Sequence, residues 1–310
     1  MGGTWAQAAA VPQARTEVSV ATDGARIYLA GGFREAPGGV EAPREVHRYD
    51  PGTDRWTTPT LLPQGVNHAG MVYVAGRLFL VGGFQATTFT PTSAVRVWNP
   101  ATGAWSAGAP LPTPRGALPV VVLDGKIHAI GGNAANAAAL DPDEHNPALD
   151  GSSVGTHEVY DPATDTWTRL APLPTGRNHL AAAVLNGRIH AVGGRVGNSF
   201  TLTVHEVFDP ATGAWVSAPP IPTGRSGIAA ASLDGHIYVF GGETVGVVDR
   251  TFDDVERYDP TSQSWVALTP MPTPRHGLGA AALNGRIHVL AGGPQPGFAF
   301  SAANEVLIPD

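Results

Sequence analysis

NHLAAAVLNGRIHAVGG, residues 178 to 194, sets two short apolar runs on either side of Asn186-Gly187 and closes on Gly193-Gly194. An Asn-Gly between two strand-like runs marks a tight β-hairpin, because both turn residues need positive φ. The same unit recurs around Asp23-Gly24, Asp124-Gly125, Asp234-Gly235 and Asn284-Gly285, with Ala75-Gly76 as the variant. Downstream comes a third run with an aromatic before a proline (Tyr49, Trp98, Tyr160, Phe208, Tyr258), and then a fourth that carries a tryptophan. Each module therefore reads as four antiparallel strands.

A single metric runs through the chain. Trp5, Trp56, Trp105, Trp167, Trp215 and Trp265 are each followed ten residues later by the head of an apolar run. Those heads are Arg15, Val66, Arg115, Arg177, Arg225 and Arg275. Sixteen residues further on stands a small pair beginning at Gly31, Gly82, Gly131, Gly193, Gly241 or Ala291. An Asp-Pro or Asn-Pro follows (Pro51, Pro100, Pro162, Pro210, Pro260), and the next Trp comes five residues later. A period near fifty residues made of short strands and turns indicates a repeat architecture, and six four-stranded modules indicate an all-β propeller. The last module stops after three strands, whereas the chain opens on an unmatched Trp5. The amino-terminal strand is thus expected to complete the sixth blade and close the ring. The expected blades are about 16–58, 66–107, 116–169, 178–217, 226–267 and 276–310 plus 3–7, in one domain spanning 1–310.

Composition narrows the function. With 39 Gly, 28 Pro and only 15% charged residues, the chain suits a turn-rich β protein, and 43% apolar residues suffice for a core. A net charge of −7 offers no basic face for nucleic acid. No apolar stretch approaches a membrane span. The opening MGGTWAQ shows neither the basic nor the apolar part of a leader, which leaves the compartment open. A monomer is expected, and no cofactor is called for.

The Gly-Gly pair, the aromatic with Asp-Pro, the Trp, and the P-x-x-R ahead of the first strand (as in Pro174 to Arg177) together resemble the Kelch repeat over the whole chain. That resemblance implies a six-bladed Kelch β-propeller. It spans interaction modules, copper radical oxidases such as galactose oxidase, and sialic-acid mutarotases, so it does not settle function. The oxidase chemistry requires a Tyr crosslinked to a Cys, and this chain has no Cys.

Loop length points to the working face. From the small pair to the proline takes 31 residues in blade three and 17 to 20 in the others. Variation confined to the connections between strands two and three marks their end of the propeller, shared with the strand 4–1 connections, as the binding face. The long tract 133–156 carries Asp141, Asp143 and Asp150, an acidic loop with a loose claim on a hard cation.

Two sets of equivalent positions should ring the mouth: Phe33, Phe84, Asn133, Arg195, Glu243 and Gly293 after the small pair, and Thr16, Asn67, Gly116, Asn178, Ser226 and His276 after the run head, with His68 and His179 one further on. Of these, Phe33, Asn67, His68, Phe84, Asn133, Asn178, Arg195 and Ser226 are candidate ligand contacts. His179, Glu243 and His276 are candidate acid–base groups. His276 stands one residue out of register with His68 and His179, which argues against three imidazoles on one metal. The run-head arginines read as structural. Glu158, Glu206, Glu256 and Glu305 accompany Arg115, Arg177, Arg225 and Arg275, while blade two loses both (Val66, Arg96) and blade one offers His47 to Arg15. His128, His190 and His288 replace aromatics of other blades and read as packing. The expected function is binding of a carbohydrate, peptide or protein at this face. The alternative is an isomerase, mutarotase or lyase acting on an acidic sugar or other small molecule.

Overall fold

Six sheets of four antiparallel strands, with five short two-stranded ladders beside them, form the described part of the computed structural model, which covers residues 2–135, 152–197, 200–246 and 248–310. In blade four, Ala181–Leu185, Arg188–Val192, His205–Asp209 and Ala214–Ser217 pair in that order. The first strands of all six blades touch in ring order, from Ser19–Thr22 round to Gly279–Leu283 and back. Among the described residues there is no helix, and none long and apolar enough to cross a membrane.

The small residues of the first strands are required by crowding at the axis. A Cβ on Gly70 would lie 1.9 Å from Val120 Cγ2, and one on Gly279 would lie 2.1 Å from Val20 Cγ2. Small side chains leave an axial channel of about 390 Å³ lined by residues such as Ala182, Ala230 and Ala280. Five turns, four Asx-Gly and one Ala-Gly, behave as their sequence demands. Ala75, Asp124, Asn186, Asp234 and Asn284 all take φ near +50°, each followed by a positive-φ glycine. Asp23-Gly24 is the exception, because its hairpin turn is two residues longer: Thr22 pairs with Ile27, and the Asp23 carboxylate accepts from the N–H groups of Ala25 and Arg26.

The amino terminus closes the ring. Thr4–Gln7 pairs with Asn304–Ile308, placing Trp5 opposite Leu307. Its indole also meets Phe240 edge-on at 6.3 Å. The tryptophan spacing has one cause in all six blades: each indole N–H bonds to the preceding blade. Trp56 donates to Ala9 O, Trp105 to Thr60 Oγ1, Trp167 to Ala109 O, Trp215 to Ala171 O, Trp265 to Pro219 O and Trp5 to Thr269 O. Trp5→Ala should therefore loosen the closing blade and cost about 2–3 kcal/mol, below the range for a fully buried Trp because Trp5 is half-buried. The midpoint of urea unfolding measures it.

The sixteen-residue spacing is likewise a hydrogen bond. Arg115, Arg177 and Arg225 each donate from Nε to the carbonyl sixteen residues on, at Gly131, Gly193 and Gly241. The same arginines meet Glu158, Glu206 and Glu256, and Arg275 meets Glu305 at 2.7 Å. A threonine two residues earlier (Thr113, Thr175, Thr223, Thr273) donates to the other carboxylate oxygen. Arg15 bonds His47 Nε2 at 3.0 Å at the equivalent position, and its Nη2 lies 3.7 Å from Glu45 Oε2. All five arginines are fully buried, so they are structural and do not form an anion-binding ring. In blade two the lost pair leaves Arg96 Nη1 without a partner among the described residues.

Candidate functional site

Where each blade's chain enters from its neighbour, one residue per blade takes left-handed backbone. These residues are Glu17 (φ 54°), His68 (52°), Ala117 (53°), His179 (52°), Gly227 (64°) and Gly277 (57°). Their backbones join in a collar: His68 N donates to Glu17 O, Ala117 N to His68 O, His179 N to Ala117 O, Gly227 N to His179 O and Gly277 N to Gly227 O. Val18 N donates to Gly277 O and closes the circle. Glycine takes this conformation without strain, whereas another residue costs about 1 kcal/mol or more. Blades five and six accept the glycine. Blades one, two and four instead hold Glu17, His68 and His179 there, and all three project a titratable group towards the axis.

The two mouth sets pair directly with one another. Isolated bridges or short ladders link Thr16 with Phe33, Asn67 with Phe84, Gly116 with Asn133, Asn178 with Arg195, Ser226 with Glu243 and His276 with Gly293. This rigid frame aims the cluster at its centre. Glu17 Oε2 lies 3.1 Å from His68 Nε2, and Glu17 Oε1 lies 3.3 Å from His276 Nδ1. His276 Nδ1 is also 3.4 Å from Glu243 Oε2. Arg195 reaches Glu243 Oε1 at 3.0 Å through Nη1 and His179 Nε2 at 3.1 Å through Nη2.

Protonation follows from the partners. His179 Nδ1 donates to Asn178 Oδ1 at 2.5 Å, and that amide is oriented by its own bond to Ser153 Oγ at 2.7 Å. The lone pair of His179 therefore sits on Nε2 and accepts from Arg195. Burial, the Arg195 guanidinium and His68 hold His179 well below the usual imidazole range. His276 behaves oppositely. Burial would lower it, but Glu17 and Glu243 outweigh burial and raise it. Its Nε2 donates to the carbonyl of Gln295 at 3.0 Å, so both ring nitrogens face acceptors. Burial alone would raise Glu17, yet His68 and His276 hold its carboxyl far below the normal range. His68 Nδ1 donates to Asn67 Oδ1 at 2.6 Å, and Asn67 is itself fixed by the carbonyls of Phe84 and Ala86. Burial lowers His68 more than Glu17 raises it, so a proton on Nε2 is weakly held.

These groups line a cavity of about 140 Å³ together with Phe33, Phe89 and Phe298. Phe89 and Phe298 are 61% and 57% exposed and form its outer rim. Phe33 lies beneath, 5.2 Å from Phe298 and 6.3 Å from Phe89. A larger hollow of about 420 Å³ beside the amino-terminal strand contains Tyr49 and Asp54, but Asp54 already accepts from Tyr49 Oη and Ala9 N.

Phe33, His68, His179, Arg195, Glu243 and His276 thus meet at one cavity. The register offset of His276 does not turn it away. Gly293 opposite leaves it room, since a Cβ there would lie 2.6 Å from His276 Nε2. Asn67 and Asn178 are buried and orient imidazoles. Phe84 is buried against His68 and Phe89. Asn133 bonds Ser152 Oγ, and buried Ser226 bonds the Glu243 carbonyl, so neither lines the cavity. Asp141, Asp143 and Asp150 lie outside the described residues. Four cavity residues escape the sequence reading: Glu17, Phe89, Gly297 and Phe298. Glu17 was open to detection, because it aligns with His68 and His179 two residues after the run head.

Comparison with known proteins bears on the repeat. A model described as the KLHDC2/KLHL20/DRC7 Kelch-repeats domain matches residues 150–293, and Kelch motif models match 14–63, 66–112 and 114–174. Kelch-like protein 35 of Mus musculus is 28% identical over 192 residues, covering 62% of this chain and 29% of that protein. Kelch-like protein terF of Aspergillus terreus is 29% identical over 187 residues, covering 58% of this chain and 39% of that protein. The match thus spans well under half the length of these curated relatives. The solved structure of YjhT superposes with a TM-score of 0.80 at 16% identity, covering 96% of this chain and 95% of that one, a likeness of fold alone.

Proposed function

The chain belongs to the Kelch-repeat propellers, and from that premise we propose that its mouth binds one small acidic ligand the size of a single sugar ring. The carrying observation is Arg195, fixed between Glu243 and His179 beside an aromatic rim. A forked guanidinium held at two points recognises a carboxylate with little loss of side-chain freedom. Phe89 and Phe298 offer faces for the apolar side of a ring. A cavity of about 140 Å³ is small beside the roughly 300–1,000 Å³ of drug-sized sites, which suits one anchoring group. The Kelch-like names of the relatives favour binding, and a partner's side chain or terminus is the competing occupant.

A second reading is favoured by one specific observation: a neutral His179, whose Nε2 lone pair is held only by Arg195, and His276 with its proton line the same cavity. Environments that push two groups apart in this way assign a base and an acid. Ring-opening isomerisation of a bound sugar needs one of each.

A thermal-shift panel of sugar acids tests the binding reading. A ligand at a hundred times its Kd adds about 2.7 kcal/mol, which at roughly 2 °C per kcal/mol raises Tm by about 5 °C. The response should vanish in Arg195→Ala. No response to any sugar acid, or an undiminished one in the variant, contradicts the proposal.

A further inference from the structure

We infer that Glu17, His68 and His179 form a binding site for one divalent transition-metal ion of the zinc, cobalt or nickel kind on the propeller axis. It shares the cavity of the proposed ligand site but does not depend on that reading. One donor atom from each of the three residues lies within 4.8 Å of the other two. Both imidazoles have Nδ1 committed to an asparagine oxygen (Asn67 Oδ1 at 2.6 Å, Asn178 Oδ1 at 2.5 Å), so both Nε2 lone pairs face inward. Metal-binding histidines are oriented by the same kind of outer hydrogen bond.

The geometry around His68 adds a second reason. Asn67 fixes the proton of His68 on Nδ1, which leaves its Nε2 lone pair 3.1 Å from a Glu17 carboxylate oxygen. A contact that short is held either by a proton on Nε2 or by a cation between the two atoms, and a metal fills that role with the His179 lone pair as third donor. Two imidazoles and one carboxylate suit borderline metals. The three residues stand on the hydrogen-bonded collar in left-handed backbone, so their Cα positions are fixed.

Two adjustments are required. Metal–ligand bonds of about 2.0–2.1 Å place donors roughly 3.3 Å apart; Glu17 and His68 already stand at 3.1 Å, so His179 must close on them by at most about 1.5 Å. Arg195 must also leave His179 Nε2 and rest on Glu243 alone. The guanidinium is therefore a competitor of the metal, which separates this proposal from the sugar-acid reading.

The test is calorimetric titration of chelator-treated protein with Zn²⁺, alongside the visible spectrum with Co²⁺. One equivalent should bind with micromolar or tighter Kd. Glu17→Gln and His179→Gln should each weaken it at least tenfold, in proteins shown to be folded by circular dichroism. Arg195→Ala should bind Zn²⁺ at least as tightly as the parent while losing its response to sugar acids. Absence of a stoichiometric Zn²⁺ isotherm in the parent protein overturns the proposal. So does Zn²⁺ binding unchanged by Glu17→Gln, or binding lost instead on replacing Asp141 and Asp143.

Discussion

Arg177→Ala is expected to destabilise the protein by about 3–5 kcal/mol, a large share of the roughly 5–15 kcal/mol that holds a domain together. The side chain is fully buried. It donates to the carbonyls of Thr175, Ala191 and Gly193 and to the Glu206 carboxylate. Truncation strands a charge that is 4% exposed, along with three carbonyls. Removing one partner of a buried pair costs more than removing both. Arg177→Met with Glu206→Leu should therefore recover the part due to the stranded carboxylate. It should not recover the part due to the carbonyls. Blade two, with Val66 and Arg96 at the two positions, shows that the fold tolerates the pair's joint absence. Urea midpoints of parent, single and double variants check the order. A single variant within 1 kcal/mol of the parent contradicts the structural role.

Acid should unfold the protein at an unusually high pH, because the blade interfaces hold neutral histidines. Burial pushes His47, His128 and His205 down to about 4, and His157 and His190 down to about 3. All five are at most 5% exposed. In the unfolded chain each titrates near 6.5, so between pH 6.5 and about 4 the unfolded state binds more protons. The contribution of these histidines is then complete above pH 6.5, falls as the pH drops through that window, and levels off below about 3. At about 1.4 kcal/mol per pKa unit each contributes up to roughly 3–5 kcal/mol, with the pairs titrating jointly. One such pair is His190 Nδ1 on His205 Nε2 at 2.9 Å, where His205 Nδ1 donates to the Pro219 carbonyl. Blade two has Phe79 and Val95 at these positions. His190→Phe with His205→Val should thus flatten the slope of stability against pH. An unchanged slope, measured by urea unfolding from pH 4 to 7, contradicts this account.

The fold was legible because each spacing in the sequence corresponds to a bond. Ten and sixteen residues separate Trp, Arg and Gly, since the indole bonds the neighbouring blade and the guanidinium bonds the Gly carbonyl. Charge matching exposed the Arg–Glu pairs for the same reason. The site was half legible. Arg195, Glu243, His179 and His276 stood out as chemically different residues at equivalent positions. Glu17 did not, although its offset of two residues from the run head matches that of His68 and His179. Its position on the collar depends on a left-handed turn that sequence signals only where glycine occurs. Phe89 and Phe298 sit inside connections of differing length, where register between blades is lost. Asn133 and Ser226 occupied the right positions but bond to backbone or to Ser152, which residue type alone does not reveal.

Soaking crystals of the protein with the sugar acid that gives the largest thermal shift tests the binding site most directly. The account predicts density in the mouth cavity, with a carboxylate within hydrogen-bond distance of Arg195 and a ring face against Phe298 or Phe89. Density elsewhere on the propeller, with the mouth unchanged, would contradict it.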